Sequence, residues 1–438
     1  MGTGRPEPLV RLADGTVKQV SPLTGTVVWT IPGRANRPLA VPVLERHPVN
    51  PGGQDRLCAF CAERYLETPP ERSRLVAGPD GVVLRSGLTA EQVVAEVAAA
   101  RRVPNLFEIL SVDYWRLNHG FTVADRTRAL ADRYSSTPAG RAHVLSIMRR
   151  RALASGVTAE QWDQAGEAEH LAGAVDLFAG SHDVVIARRH LVDGAVFDDE
   201  LAGSGTLTPD EHAELVAFTV DAMRDLYDRQ PHARYVAVFQ NWLRAAGASF
   251  DHLHKQLVAV DEHGPQLDRE LARLRVEPDV FTTAIADHAA AHRLVVAENE
   301  HAVALAGVGH RYPALEVYSM STHQLPWEHS AAEVRGFSDL LHALHAATGP
   351  AVPTNEEWHH RPPGAAEAMP WRVVLKWRVS TLAGFEGGTK INVNTIDPSA
   401  LRDRVVTELV GLRDAGLVAP MRVGDECSHR LGALGYTG

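Results

Sequence analysis

The sequence predicts an α+β protein with a duplicated core, antiparallel sheets flanked by helices, and a mostly helical insertion at about 62–178. Three observations carry this prediction. Strand-like and helix-like segments alternate through the chain, a unit of strand, histidine, helix, strand, turn and strand at 182–260 recurs loosely after 293, and helix-forming stretches dominate the block before the first copy. At 438 residues the chain exceeds a usual single domain, so two packed halves, 1–265 and 266–438, are expected.

The elements follow in order. Residues 22–31, PLTGTVVWTI, read as a turn entering a strand, and 32–38, PGRANRP, as a basic loop after it. Arg34 and Arg37, three apart on that loop, suit a diphosphate, although a solvated surface loop is the commoner reason for such a pattern. Within the insertion, 88–102, 123–133 and 139–155 read as helices. Residues 182–187, HDVVIA, read as a strand delivering His190. Thr208-Pro209-Asp210-Glu211 marks a helix start, with Thr208 as N-cap and Glu211 completing a capping box. That helix runs to about Asp228 and buries Leu215, Phe218, Met223 and Leu226 on one face. Residues 235–240 form the next strand and lead through a turn into a strand at 252–260. In the second half, 293–298 and 315–320 read as strands followed by His301 and His323, 331–348 as an amphipathic helix, and 371–378, WRVVLKWR, as the counterpart of the 252–260 strand.

Composition narrows the function. With 45% hydrophobic and 22% charged residues the chain is ordinary for a soluble protein with ample core. A net charge of −10 argues against nucleic acid, whose binders need a basic surface. Lysine occurs only at Lys18, Lys255, Lys376 and Lys390, so a phosphate site must rely on arginine and backbone N–H groups. No apolar h-region follows Met1 and no apolar run reaches membrane-span length, so a cytoplasmic protein without a membrane partner is expected. Three cysteines, with Cys58 and Cys61 in a CxxC and Cys427 alone, make no disulfide framework.

The chemistry concentrates in 239–256, FQNWLRAAGASFDHLHKQ. His252, His254 and Gln256 stand two apart behind the turn Gly247-Ala248-Ser249, so on one strand they share a face. An imidazole there can ligate a metal or attack phosphorus, and Gln256 can donate an amide hydrogen bond without taking a proton. Among 22 histidines, an HxH is as readily a polar strand at a solvated edge. Cys58 and Cys61 offer two thiolates from one turn, and a CxxC also serves redox chemistry. His190 and His252, both at strand ends near the HxH face, would complete a tetrahedral zinc set. Cys427 with His429 resembles half a metal site, although a partly buried thiol accounts for it.

Six segments in a fixed order resemble the galactose-1-phosphate uridylyltransferase family of the histidine-triad superfamily. They are SPLTGTVVWTIPGRANRP at 21–38, CAFC at 58–61, RRVPNLF at 101–107, the strand ending in His190, FQN(x)5GAS(x)2HxHxQ at 239–256, and GFEGGTKINVNTIDPSALRDRV at 384–405. The resemblance implies a duplicated histidine-triad-like fold whose first half is catalytic. It implies Cys58, Cys61, His190 and His252 as ligands of one structural Zn²⁺ per chain, and His254 as nucleophile. Arg34, Arg37 and Asn105 become nucleotide contacts, and Asn241, Ser249 and Gln256 phosphate contacts, with Gly247 letting the turn approach the phosphoryl oxygens. Phe385 and Glu386 fall near the sugar. A homodimer is implied, because family members build the sugar pocket partly from the neighbouring chain.

The implied reaction is nucleotidyl transfer. His254 attacks the α-phosphorus of a nucleoside diphosphate sugar, expels a sugar 1-phosphate, and passes the nucleotide, UMP in the first reading, to a second phosphorylated acceptor. A backbone carbonyl near Leu253, or another local acceptor, would orient the ring. Gln256 stands where hydrolytic relatives carry a third histidine, and an amide cannot relay a proton to a leaving group, so transfer or phosphorolysis is favoured over hydrolysis. A phosphorylase of nucleoside diphosphate sugars or dinucleoside polyphosphates, transferring adenylyl groups, is the alternative; a zinc-stabilised nucleotide-binding protein without turnover is the third reading. Departures from the family occur in the second half. Glu270 and His359 fall at plausible second-metal positions, but Val374 and Lys376 replace the HxH pair, so no second metal is expected. Ser380 stands where a lysine is expected near the sugar.

Overall fold

The computed structural model describes residues 7–32, 46–50, 52–79, 81–381, 383–428 and 432–437. Its centre is one twelve-stranded antiparallel sheet. From edge to edge the strands are Arg422–Val423, Val295–Glu298, Ala302–Ala306, Ala314–Ser319, Arg372–Trp377, Thr354–His359, Tyr235–Trp242, His254–Val260, His182–Ala187, Ala100–Pro104, Ser73–Gly78 and Gly81–Ser86. A separate four-stranded sheet joins Leu9–Arg11, Val17–Val20 and Val27–Thr30 to Ile391–Asn394, the last pair parallel.

The duplication is visible in the strand order. Counting inward to the seam between Tyr235–Trp242 and Thr354–His359, and setting aside the outermost strand of each half (Gly81–Ser86 or Arg422–Val423), each half places its first three strands, then its fifth, then its fourth. In both halves the helix between the third and fourth strands, Pro209–Arg229 or Ala331–Thr348, covers the same face of the sheet. Both helices carry capping boxes, at Thr208 with Glu211 and at Ser330 with Glu333. Leu215, Phe218, Met223 and Leu226 are buried as expected. The two helices touch through buried polar groups, with His212 Nδ1 2.7 Å from Ser338 Oγ.

The insertion departs from the expected helical block. Helices occupy Val112–Ala179 (Val112–His119, Asp125–Ser135 and Pro138–Ala154 among them), but the preceding part supplies three strands of the main sheet. The expected helix at 88–102 is a short one, Ala90–Ala95, after which Ala100–Pro104 is a strand. The cause is charge. Arg101 and Arg102 lie inside the protein, Arg101 on Glu71 and Arg102 on Asp183, so a buried strand reads as a polar segment. Thr354–His359 was hidden similarly, since its buried face carries Thr354, Glu356 and Trp358.

Asp183 shows what these pairs hold. Its fully buried carboxylate accepts from Arg72 Nε at 2.7 Å, Arg102 Nε at 2.7 Å and Arg229 Nη2 at 3.1 Å. Burial alone would raise its pKa, but Arg102, Arg72 and Arg229 outweigh burial and hold it below the ordinary range. Asp183→Ala, which leaves Arg72 without a carboxylate and Arg102 and Arg229 sharing only Asp225, is expected to cost about 3–5 kcal/mol in denaturant unfolding. Because the folded pKa is depressed, Asp183 stabilises fully above its unfolded value of about 3.9, and that part is lost as pH falls below it. The pH dependence of unfolding below that point should therefore be shallower in the variant.

Candidate functional site

The His254–Gln256 strand turns Lys255 toward the two long helices and carries His254 and Gln256 on its opposite face. Between the two polar residues Lys255 points inward, where its ammonium meets Glu356 and Gln240 Oε1 at 2.9 Å. The outer face is made by register. Gln256 pairs with Phe239 on one side and Val184 on the other, and His254 pairs with Ile186. The expected strand start at His252 moves to His254, and the two histidines part company. His252 ends the incoming loop and turns toward the cysteines, while His254 opens the strand.

The turn before them is built for close approach. Leu243, at φ 66°, and Gly247, at φ 92°, bracket a single 3-10 turn at Arg244–Ala246. A side chain at Gly247 would be strained by that angle, and Asn241 Nδ2 lies 3.9 Å from where it would begin. Asn241 Oδ1 accepts from Asn355 Nδ2 at 2.7 Å, and Ser249 is exposed at the rim.

Cys58, Cys61, His190 and His252 converge, with all four ligand atoms within 4.8 Å of one another. Cys58 Sγ is 3.8 Å from Cys61 Sγ, and the sulfur to Nδ1 distances are 3.6 Å for Cys58–His252, 3.6 Å for Cys61–His190 and 3.7 Å for Cys61–His252. A tetrahedron with Zn–S of about 2.3 Å and Zn–N of about 2.0 Å has edges of about 3.8 and 3.6 Å, so the spacing fits zinc. His252 Nε2–H donates to the Ala187 carbonyl at 2.8 Å, which leaves Nδ1 free for a metal. Backbone N–H groups of Cys58 and Phe60 point at the sulfurs, each at 3.4 Å. The hydrogen bond from Cys58, with His190 and His252 alongside, holds Cys61 far below the ordinary thiol range, and the same bond and burial push Cys58 up.

His254 is set beside this cluster. Its Nδ1–H donates to the His252 carbonyl at 2.7 Å, so the orienting acceptor is His252 itself; the Leu253 carbonyl instead takes the Ala187 N–H. Nε2 therefore carries the lone pair. Burial pushes the ring pKa down to about 4, which keeps it neutral and nucleophilic at neutral pH. Phe60 and Phe250 meet the ring edge-on, at 5.3 and 6.4 Å between centroids.

Sequence reasoning missed His182. It lies on the same face of its strand as Val184 and Ile186, and its Nδ1 accepts the Ile109 N–H at 3.4 Å. The proton is then on Nε2, which donates to Gln256 Oε1 at 3.0 Å and lies 3.1 Å from Asn105 Nδ2. His182 thus fixes the Gln256 amide with its NH₂ group turned away from His182. Strand alternation in HDVVIA could have revealed its face, but not its partner. If the amide must point this way, His182→Ala lowers turnover about 10-fold, the worth of one buried hydrogen bond, and His182→Asn restores part of it. Single-turnover rates at saturating donor would check this.

The remaining expected residues are dispersed. Arg34 and Arg37 lie outside the described residues, as does His429. Phe385 and Glu386 stand on the helix Gly384–Thr389 next to the four-stranded sheet, not on the sheet of His254. Phe385 is exposed with its ring 6.3 Å from Trp29, and Glu386 accepts the Ala383 N–H at 3.1 Å. Cys427 is buried, donates to the Arg422 carbonyl at 3.6 Å, and its thiol is pushed up to about 12 by burial. In the second half, both oxygens of Glu270 accept from Arg372 Nη2 at 2.7 Å, and Lys376 Nζ pairs with Glu357 at 2.6 Å. Val374 is buried. A guanidinium already neutralises the carboxylate a second metal would use.

A family model described as a domain of unknown function, DUF4921, spans residues 12–436. The chain belongs to the DUF4921 family. No curated protein matches this DUF4921 chain in sequence. Two solved structures share its fold across 89% of its length. One is an ADP-glucose phosphorylase from Arabidopsis thaliana with bound ADP-glucose (17% identity, TM-score 0.55, 97% of that chain). The other is a GalT-like protein from the same plant (16% identity, TM-score 0.56, 98% of that chain). The DUF4921 chain therefore has the GalT-like fold that its motifs implied. Among its described residues, no helix is long and apolar enough to cross a membrane.

Proposed function

We propose that this protein transfers a nucleoside monophosphate, UMP in the first reading, from a nucleoside diphosphate sugar to a sugar 1-phosphate through a nucleotidyl-histidine at His254. The observation that carries the reading is the pair of fixed orientations: His254 with Nδ1 held and Nε2 open, and Gln256 with its carbonyl held by His182.

In the first displacement Nε2 forms a bond to the α-phosphorus as the bond from phosphorus to the bridging oxygen breaks, and that electron pair leaves with the sugar 1-phosphate. Positive charge on the imidazolium is stabilised by the His252 carbonyl at Nδ1. Gln256, Asn241 and Ser249 donate to the non-bridging oxygens, and Arg34, Arg37 and Asn105 contact the nucleotide. In the second displacement an acceptor phosphate oxygen attacks the phosphorus and His254 leaves. Zn²⁺ held by Cys58, Cys61, His190 and His252 is structural; it would fix the loop that ends at His252. Residues 1–265 form the catalytic half and 266–438 the silent one. In a homodimer Phe385 and Glu386 would complete the sugar pocket of the neighbouring copy. A cytoplasmic location belongs to the same reading.

A second reading, phosphorolysis with adenylyl transfer to inorganic phosphate, is favoured by the likeness to an ADP-glucose phosphorylase over 89% of the chain. One experiment addresses both. Intact mass after incubation with UDP-glucose, UDP-galactose or ADP-glucose should show one added nucleotidyl group and identify the base. Discharge of the labelled protein by glucose 1-phosphate or by phosphate then separates transferase from phosphorylase. An unmodified protein with every donor would overturn both.

A further inference from the structure

On the His254 face, where Tyr235–Trp242 meets Thr354–His359, lies a cavity of about 600 Å³. Its position relative to the nucleophile follows from register. Asn241 pairs with Asn355, and antiparallel pairing two residues beyond Phe239–Gln256 sets Asn241 opposite His254. At about 4.8 Å per strand, Asn355 is roughly 10 Å from the His254 strand. Asn241 borders both the turn at Gly247 and this cavity.

The cavity has unmet demands. Lys376 is neutralised by Glu357 at its wall. Arg378 is different: among the described residues no carboxylate pairs with it. Nη1 donates to Asn355 Oδ1, the guanidinium stacks on Tyr312 at 4.7 Å, and Nε is buried with no hydrogen-bond partner. His359 Nε2, also lining the cavity, is buried without a hydrogen-bond partner. Arg378 Nε and His359 Nε2, the latter 3.9 Å from Glu357 Oε2, are thus two buried polar atoms whose hydrogen bonds a ligand would complete. Asn355, bonded to both Asn241 and Arg378, ties the cavity to the turn beside His254.

We propose that this cavity seats the sugar of the sugar 1-phosphate, as leaving group and as acceptor, and that Arg378 selects a sugar carrying an anionic substituent at the end remote from C1. Arg378 follows the strand Arg372–Trp377, which neighbours that of Asn355, so the cavity leads away from His254 toward its guanidinium. His359 and Asn355 hydrogen-bond its hydroxyls. The inference rests on the nucleotidyl-transfer reading and adds the class of sugar to it.

The test measures His254 nucleotidylation of the full-length protein by UDP-glucuronic acid and UDP-glucose, or by the adenine counterparts if ADP-glucose alone labels it. The wild type should prefer the anionic donor by about 10- to 100-fold in rate per donor concentration, the range of one charge-assisted hydrogen bond. Arg378→Met should abolish the preference, and Arg378→Lys, which keeps the charge, should retain part of it. Glucose 1,6-bisphosphate and glucuronic acid 1-phosphate as acceptors distinguish a phosphate from a carboxylate at Arg378. Labelling without preference, or a preference untouched by Arg378→Met, overturns the cavity assignment and leaves nucleotidyl transfer standing. If no donor labels the protein, transfer fails, and calorimetry with glucuronic acid 1-phosphate decides the cavity: binding lost in Arg378→Met keeps it, and no binding to wild type overturns it.

Discussion

His254→Ala protein takes up no nucleotidyl mass from any donor, and its turnover falls by several orders of magnitude. The reasoning is that no neighbour can replace the ring. His252 spends Nδ1 on the cysteine cluster and Nε2 on Ala187, and His182 spends Nε2 on Gln256. Loss of a nucleophile on this scale is what other covalent catalysts show. Residual binding of donor should persist, since Asn105, Asn241 and Ser249 are untouched. Loss of both binding and labelling would mean misfolding, which a thermal melt distinguishes. Restored labelling in the variant would place the covalent bond elsewhere.

Removal of zinc should be nearly as damaging, and by a different route. Purified protein is expected to hold one Zn²⁺ per chain, and Cys61→Ser or prolonged chelation should lower the melting temperature by well over 10 °C. Metal binding of this kind is folding free energy, because the four donors meet only in the folded chain. The catalytic effect should track the metal. The carbonyl that holds His254 Nδ1 belongs to His252, a ligand, so a loop freed from metal loosens the nucleophile. Metal content by mass spectrometry, compared with the labelling rate across a chelator series, would show the two falling together. Full labelling of metal-free protein would contradict the coupling.

Much of this was legible before any coordinates. The helix at 331–348 follows from its amphipathic period, and the helix at 209–229 from Thr208-Pro209-Asp210-Glu211, because capping and amphipathic spacing are local. Cys58, Cys61, His190 and His252 were legible through motif order and meet in a cluster that could hold a metal ion. What stayed hidden depends on which strands lie side by side. His182 facing Gln256, Asn355 bonded to Asn241, and Arg372 occupying Glu270 join residues 74 to 114 apart, and one chain of letters carries no signal for such pairings. Charged residues inside the protein compounded this, since Arg101 and Arg102 disguised a strand as surface.

Lys255 gives the silent half a reason to persist. The residue between His254 and Gln256 is anchored on Glu356, which His345 Nε2 also meets at 2.7 Å and which the Trp358 indole joins. All three partners belong to the copy without HxH. A chain cut between the halves would leave the Lys255 ammonium without its counter-charge directly beneath His254, so the second half acts as the keel of the first.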